Sequence, residues 1–152
     1  MSRTNRFEAV ILKARRFGEI HKSVTMLSPQ EGLVSAIAYG AHSQKGRLRG
    51  AVDPFHRGIC YLYTNPVKDQ HKVTDFDVQS YYSGLRERID RFYAASLWAE
   101  VLLKSYAGGN EAGPVYELLT AGLSVLDGAE SQNAVRRATA QFLWRYFVRI
   151  GS

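Results

Sequence analysis

Two short segments of the sequence concentrate positive charge and could bind a polyanion. The first lies within residues 13–22, and the second lies within residues 40–50, where three glycines separate the charges. Lys and Arg side chains neutralise backbone phosphates and release counterions, which gives affinity that does not depend on base sequence. We therefore predict that seven residues contact a nucleic-acid backbone: Lys13, Arg15, Arg16, Lys22, Lys45, Arg47 and Arg49.

The charge distribution is consistent with such a site. The chain carries a formal charge of +6; residues 1–80 contain 12 Lys and Arg against 7 Asp and Glu, and residues 81–152 contain 8 against 7. A basic region confined to one part of a chain is typical of a protein that binds a polyanion. A solvated charged face that only maintains solubility explains the same excess, so composition leaves both interpretations open.

Three aromatic residues stand beside the basic segments: Phe17, Tyr39 and Phe55. Aromatic rings in a basic groove provide stacking platforms for the bases of single strands. Rings in short strands also pack into cores, and the sequence alone leaves both roles open for each of the three.

The sequence lacks a pattern that indicates catalysis. The four histidines stand singly, and Cys60 is the only cysteine, which excludes a disulfide framework and a cysteine zinc site within these residues. Asp75 and Asp77 alternate on one strand, but a two-metal nuclease needs a further acid. We expect a non-enzymatic protein with no metal and no cofactor. The histidines are His21, His42, His56 and His71.

The first half of the chain has the period of β-structure. Apolar and polar residues alternate over about 7–14, 23–27, 33–39, 58–64 and 72–80, and glycine-rich turns separate these runs. Five short strands without an intervening helix predict a small barrel, which we assign to residues 1–80.

The second half, residues 81–152, has the period of helices. We predict helices over about 83–106, from the turn that contains Pro114, and after Ser131 as N-cap. The first should bury one stripe of residues: Leu85, Ile89, Phe92, Ser96, Ala99 and Leu103. The apolar segment 143–150 needs cover on both sides, either from the preceding helices or from further chain, and we favour a truncated domain. Since no apolar run reaches the length of a membrane helix, we expect no membrane segment.

Several ordered motifs resemble the RecO family of bacterial recombination mediators. They are Glu8-Ala9-Val10-Ile11-Leu12-Lys13, Phe17-Gly18-Glu19, the run from Pro29 to Ala41, Arg47-Leu48-Arg49-Gly50 followed by Asp53-Pro54-Phe55, and the segments 97–103 and 115–126. The resemblance covers essentially the whole chain in order.

The resemblance implies an N-terminal OB-fold barrel, followed by a helical domain, in a protein of DNA repair and recombination. Members bind single- and double-stranded DNA, anneal strands coated by single-strand-binding protein (SSB), contact the tail of SSB, and act with RecR to load RecA. It thus implies a cytoplasmic, nucleoid-associated protein of the RecF pathway in the response to DNA damage. It also implies that the seven basic residues above are backbone contacts.

Three features depart from the family pattern. Members usually have a basic residue at the position of Tyr39 and a serine at that of Gly46, and many carry a four-cysteine zinc motif beyond the third helix. The first two departures put DNA contacts at Tyr39 and Gly46 in doubt. An alternative function also stays open, in which the helical half is an adaptor for the SSB tail or RecR and DNA contact is incidental. Arg136 and Arg137, beside the apolar stripe of the third helix, would then receive an acidic peptide with a hydrophobic end.

Overall fold

A computed structural model describes residues 3–106, 108 and 110–151. The chain divides into two compact units, Met1–Tyr81 and Tyr82–Ser152. The first unit contains five strands: β1 (Arg3–Phe17), β2 (His21–Ser28), β3 (Gly32–Ala38), β4 (Arg57–Asn65) and β5 (Gln70–Ser80). They close into a barrel in the order β1-β2-β3-β5-β4, with β3 parallel to β5 and the other pairs antiparallel. The predicted OB-fold barrel is confirmed.

Strand β1 is long enough to pair with two neighbours. Its first half pairs with β4 and its second half with β2. A bulge between Ile11 and Lys13 separates the two halves and shifts the register. Such a bulge bends the strand and reverses which residues point inward. Before the bulge Phe7, Ala9 and Ile11 point into the core, and after it Ala14 pairs with the buried Val24.

The connection from β3 to β4, residues 39–56, closes one end of the barrel. Ala41, Leu48 and Val52 are buried in the same core as the inward side chains of the strands. The connection returns to β1 at Phe55, whose N–H donates to the Ile11 carbonyl at 2.7 Å. Consecutive turns satisfy its backbone groups, so it is a folded cap rather than an open loop.

The second unit contains a 3₁₀ turn (Ser83–Arg86) and three helices: α1 (Ile89–Ser105), α2 (Ala112–Asp127) and α3 (Gln132–Ile150). The helical domain is confirmed. Pro114 lies in the first turn of α2, and the Ser131 hydroxyl caps α3 by accepting from the Ala134 N–H at 3.0 Å. No helix in the described part of the chain is both long and apolar enough to cross a membrane.

The prediction of a single helix over 83–106 is wrong. Arg88 has an extended backbone, which separates the 3₁₀ turn from α1. Leu85 and Ala99 of the predicted stripe are buried, whereas Ile89, at the start of α1, is 71% exposed. The most deeply buried face of α1 runs through Ala95, Trp98 and Leu102. Trp98 is fully buried and stacks on Phe142 of α3 with ring centroids 4.4 Å apart.

Candidate nucleic-acid interface

The two basic segments meet at one end of the barrel. The turn between β1 and β2 lies beside the β3–β4 connection, and three contacts join them. The His42 N–H donates to the Ile20 carbonyl at 2.7 Å, the Gly40 N–H donates to His21 Nδ1 at 2.8 Å, and Lys22 Nζ bonds to Asp53 Oδ1 at 2.5 Å. Segments that are separate in sequence thus form one surface.

The bulge in β1 directs two of the seven basic residues to the outside. Lys13 pairs with Thr25 and Arg15 pairs with Ser23, on the face opposite the buried Val24. Within the residues that the structure describes, neither Lys13 nor Arg15 has a side-chain hydrogen bond or ion pair. Both cations are therefore available to a ligand on the outer face of β1 and β2.

Arg16 and Lys22 lie opposite each other on the other face of the hairpin. The Arg16 guanidinium donates to the Glu19 carbonyl at 2.9 Å, within its own turn. The Lys22 side chain is only 15% exposed and makes its ion pair with Asp53, 31 positions along the chain. This geometry favours a structural role for Lys22, and its contact with DNA stays a prediction.

The remaining three basic residues are exposed on the connection between β3 and β4. The buried Leu48 anchors the segment, and Lys45, Arg47 and Arg49 around it project to solvent. Arg47 makes an exposed ion pair with Asp75 of β5 at 3.1 Å. Exposed pairs of this kind contribute little free energy, so a phosphate can replace the carboxylate.

Gly46 is required by the path of this connection. A Cβ atom built there would lie 1.9 Å from the Gly40 carbonyl oxygen, closer than any real contact. The turn that presents Lys45 and Arg47 is therefore compatible only with glycine. A serine at this position, as the family resemblance leads one to expect, would need a different backbone path.

Two of the three candidate stacking rings lie on the surface, and the third does not. Phe17 and Tyr39 are 50% and 44% exposed, whereas Phe55 is 2% exposed and belongs to the core. Of the two roles that the sequence leaves open, Phe55 has core packing, because its N–H bonds to β1 and holds the residue inward at a positive φ of 71°. Phe17 and Tyr39 lie at the same end as the basic residues.

One basic residue of this surface, Lys72, was not predicted from the sequence. Lys72 of β5 pairs with Ile37 of β3, and its ammonium lies 5.8 Å from the centre of the Tyr39 ring. A cation therefore stands beside the position where the family resemblance predicts one, although it comes from a different strand. In the sequence, only the alternation of polar and apolar residues along β5 indicates that the Lys72 side chain points outward.

The groups considered for catalysis have other surroundings. Among the described residues, no three His, Cys, Asp or Glu side chains come together as metal ligands. Burial raises the pKa of the Cys60 thiol to about 12, which keeps it protonated. His56 is buried and its Nδ1 lies 2.9 Å from the Ala51 carbonyl. The surface at this end of the barrel presents cations and exposed rings, which are the kinds of group that proteins use to bind phosphates and bases.

The helical unit carries a second candidate surface, a groove of about 600 Å³ between α2 and α3. Leu118, Ala121 and Trp144 line it, and the Trp144 side chain is 72% exposed. Arg145 stands at this groove, and Arg137 lines its continuation. Arg136, the other residue predicted for peptide binding, is not among the lining residues.

Comparison with known proteins places these features in a family. Residues 1–81, more than half of the chain, match the family model described as Recombination protein O N terminal. The DNA repair protein RecO of Synechocystis sp. is 29% identical over 144 residues, which are 95% of this chain and 52% of that protein. RecO of Nostoc punctiforme is 29% identical over 134 residues, covering 88% of this chain and 44% of that protein.

A third relative, the DNA repair protein RecO of Anaeromyxobacter dehalogenans, is 30% identical over 129 residues, which are 85% of this chain and 51% of that protein. The chain thus spans about half the length of the curated relatives it matches. The matched residues include the complete barrel with both basic segments. This chain therefore belongs to the RecO family and carries the family's N-terminal barrel.

Proposed function

We propose that this chain acts in DNA repair and recombination by binding DNA on the basic end of its barrel. The observation that carries the proposal is that the β1–β2 hairpin, which bears Lys13 and Arg15, is hydrogen-bonded to the β3–β4 connection, which bears Lys45 and Arg49. Among the described residues, none of these four side chains has a hydrogen bond or ion pair. The names of the relatives, which are DNA repair proteins, support the same role. Binding of this kind needs no catalytic residue.

The available cations determine how strongly binding should depend on salt. On single strands each neutralised phosphate contributes about −0.7 to the slope of log affinity against log salt. Four contacts give a slope of about −3, which corresponds to a roughly 50-fold loss of affinity between 50 and 200 mM salt. Contacts from all seven predicted residues would give about −5 and a loss near a thousandfold. The measured salt slope therefore gives the number of phosphate contacts.

Fluorescence anisotropy of a labelled single strand of about 30 nucleotides tests the proposal. Replacing Lys45 and Arg49 by alanine should make the salt slope less steep by about 1.4 and weaken binding to all DNA sequences alike. Lys104→Ala is the matched control, because this exposed lysine lies on α1 of the helical unit, outside both basic segments. An equal effect of both changes, or no binding by folded protein, would refute the site.

The more specific activities rest on DNA binding and belong to the same proposal. We infer that the chain takes part in annealing strands coated by SSB and, with RecR, in loading RecA, in the cytoplasm at the nucleoid. An annealing assay with SSB-coated complementary strands tests this. The Lys45 and Arg49 double variant should anneal more slowly in proportion to its loss of affinity, whereas Lys104→Ala should anneal at the wild-type rate.

A second candidate function is that of an adaptor for an acidic peptide. The groove between α2 and α3 supports it, because an exposed indole at Trp144 lies beside the guanidinium of Arg145. The charged residues that line the groove are Arg145, Arg149 and Glu117, so its rim has a net positive charge around an apolar floor. Such a groove is complementary to a peptide that has acidic residues and a hydrophobic end, such as the SSB tail. RecR is the alternative partner for this half of the chain.

Titration with an SSB-tail peptide distinguishes the adaptor from the DNA-binding function. Binding should shift Trp144 emission to shorter wavelength as the peptide covers the indole, and Arg145→Ala should weaken it. Arg136→Ala is the matched control, since it removes the same charge from α3 outside the groove. If the peptide leaves Trp144 emission unchanged while DNA still binds, the adaptor function is refuted and the first proposal stands.

A further inference from the structure

A row of three rings crosses the outer face of the barrel at its basic end. Phe17 of β1 pairs with His21 of β2, and the His21 ring contacts Tyr39, which follows β3, with centroids 4.9 Å apart at 69°. Lys72 of β5 extends the row with its ammonium 5.8 Å from the Tyr39 centroid. Neighbouring strands are spaced about 4.8 Å apart, so register alone brings these side chains side by side.

The two residues at the ends of this row of rings, Phe17 and Tyr39, are exposed. About half of the Phe17 ring and nearly half of the Tyr39 ring are open to solvent. Ile20, in the turn between β1 and β2, is 45% exposed and adds to the same apolar patch. Exposed apolar surface that is rimmed by charge marks a binding site more often than a packing defect.

The middle of the row is fixed by the backbone. His21 Nδ1 accepts the Gly40 N–H at 2.8 Å, which ties the imidazole to the β3–β4 connection and holds it against Tyr39. The Lys72 contact is weaker, because an exposed cation–π contact contributes little free energy. An incoming base therefore displaces the ammonium from the ring, and the ammonium remains near the nucleic-acid backbone.

We propose that Phe17 and Tyr39 stack on unpaired bases and thereby make this barrel select single-stranded over double-stranded DNA. The inference rests on the proposed DNA-binding function and names its substrate. Cations alone would favour the duplex, which has the higher charge density and the steeper salt dependence. Stacking contributes about 1–3 kcal/mol per base, or roughly 5- to 150-fold in affinity, and is available only when the bases are unpaired.

Three DNAs of equal length test this selection with the unmodified protein: a single strand, its duplex, and a single strand with a central run of abasic sites. The abasic strand keeps the phosphates and removes the stacking partners. We expect the natural strand to bind more tightly than the other two by at least fivefold at the same salt concentration. Equal affinity for the natural and abasic strands would overturn the stacking inference and leave the DNA-binding proposal intact.

Variants of the rings complete the test. Phe17→Ala and Tyr39→Ala should each lower affinity for the natural strand by about fivefold or more, while affinity for the abasic strand and the salt slope stay unchanged. Tyr39→Phe keeps the ring and should bind as the wild type. Tyr93→Ala removes a ring from α1 that is even more exposed, at 67%, and is the matched control. An alanine variant that loses affinity equally for natural and abasic strands overturns stacking, and no binding to any of the three DNAs overturns both proposals.

Discussion

Lys22 should contribute to the stability of the barrel and not to the binding of DNA, although its sequence context resembles that of the other basic residues. Its ammonium lies 2.5 Å from Asp53 Oδ1, and the two side chains are only 15% and 33% exposed. This ion pair ties β2 to the β3–β4 connection. We therefore expect Lys22→Met, which keeps the aliphatic stem and removes the charge, to destabilise the fold.

The magnitude follows from the exposure of the pair. Removing one partner of a fully buried pair costs about 3–5 kcal/mol, and an exposed pair contributes less than about 1 kcal/mol. The intermediate burial here predicts a loss of about 2 kcal/mol in the free energy of unfolding. With a denaturant dependence of about 2 kcal/mol per molar, the midpoint of urea unfolding falls by about 1 M.

Two measurements on one set of variants check this reasoning. Urea unfolding should show the loss in Lys22→Met and a partial recovery when Asp53→Asn removes the charge left behind. Anisotropy should show the wild-type salt slope for Lys22→Met and a decrease of about 0.7 for Arg15→Ala. An unchanged urea midpoint together with a less steep salt slope in Lys22→Met would refute the structural role. Lys22 would then be a DNA contact.

Three further predictions concern other contacts. Asp75→Asn releases Arg47 from an exposed pair and should raise DNA affinity about 1.5- to 5-fold, and a comparable gain in Asp77→Asn, which changes the same charge without releasing Arg47, would contradict this. Arg91→Met should lower the stability of the helical unit by about 2–4 kcal/mol in urea, because the buried guanidinium donates to two carbonyl oxygens at 2.6 and 2.8 Å. The pKa of Cys60 is raised from 9.0 to about 12 in the folded state, so the stability that the proton provides is complete below pH 9 and is lost as the pH rises toward 12. Cys60→Ala should therefore lose less stability between pH 8 and pH 10.5 than the wild type does.

The elements of this fold follow closely from the sequence because their signals are local. Alternation of apolar residues, glycine-rich turns and the Ser131 cap depend on neighbours within a few positions, and they predict the barrel and the three helices. The start of α1 is the exception. The extended backbone of Arg88 separates it from the 3₁₀ turn, and this break carries no turn signal in the sequence.

The sequence by itself determined which basic and aromatic residues stand in the two basic segments. The tertiary structure decided which of these side chains are exposed and which are paired or buried. Strict alternation along β1 would direct Lys13 and Arg15 inward, and only the bulge after Ile11 turns them out. Lys22 is paired by a carboxylate 31 residues away, and Lys72 reaches Tyr39 through the β3–β5 pairing. Such contacts depend on the register of the strands and on the closure of the barrel. Interactions throughout the barrel determine both, so a local sequence pattern does not predict these contacts.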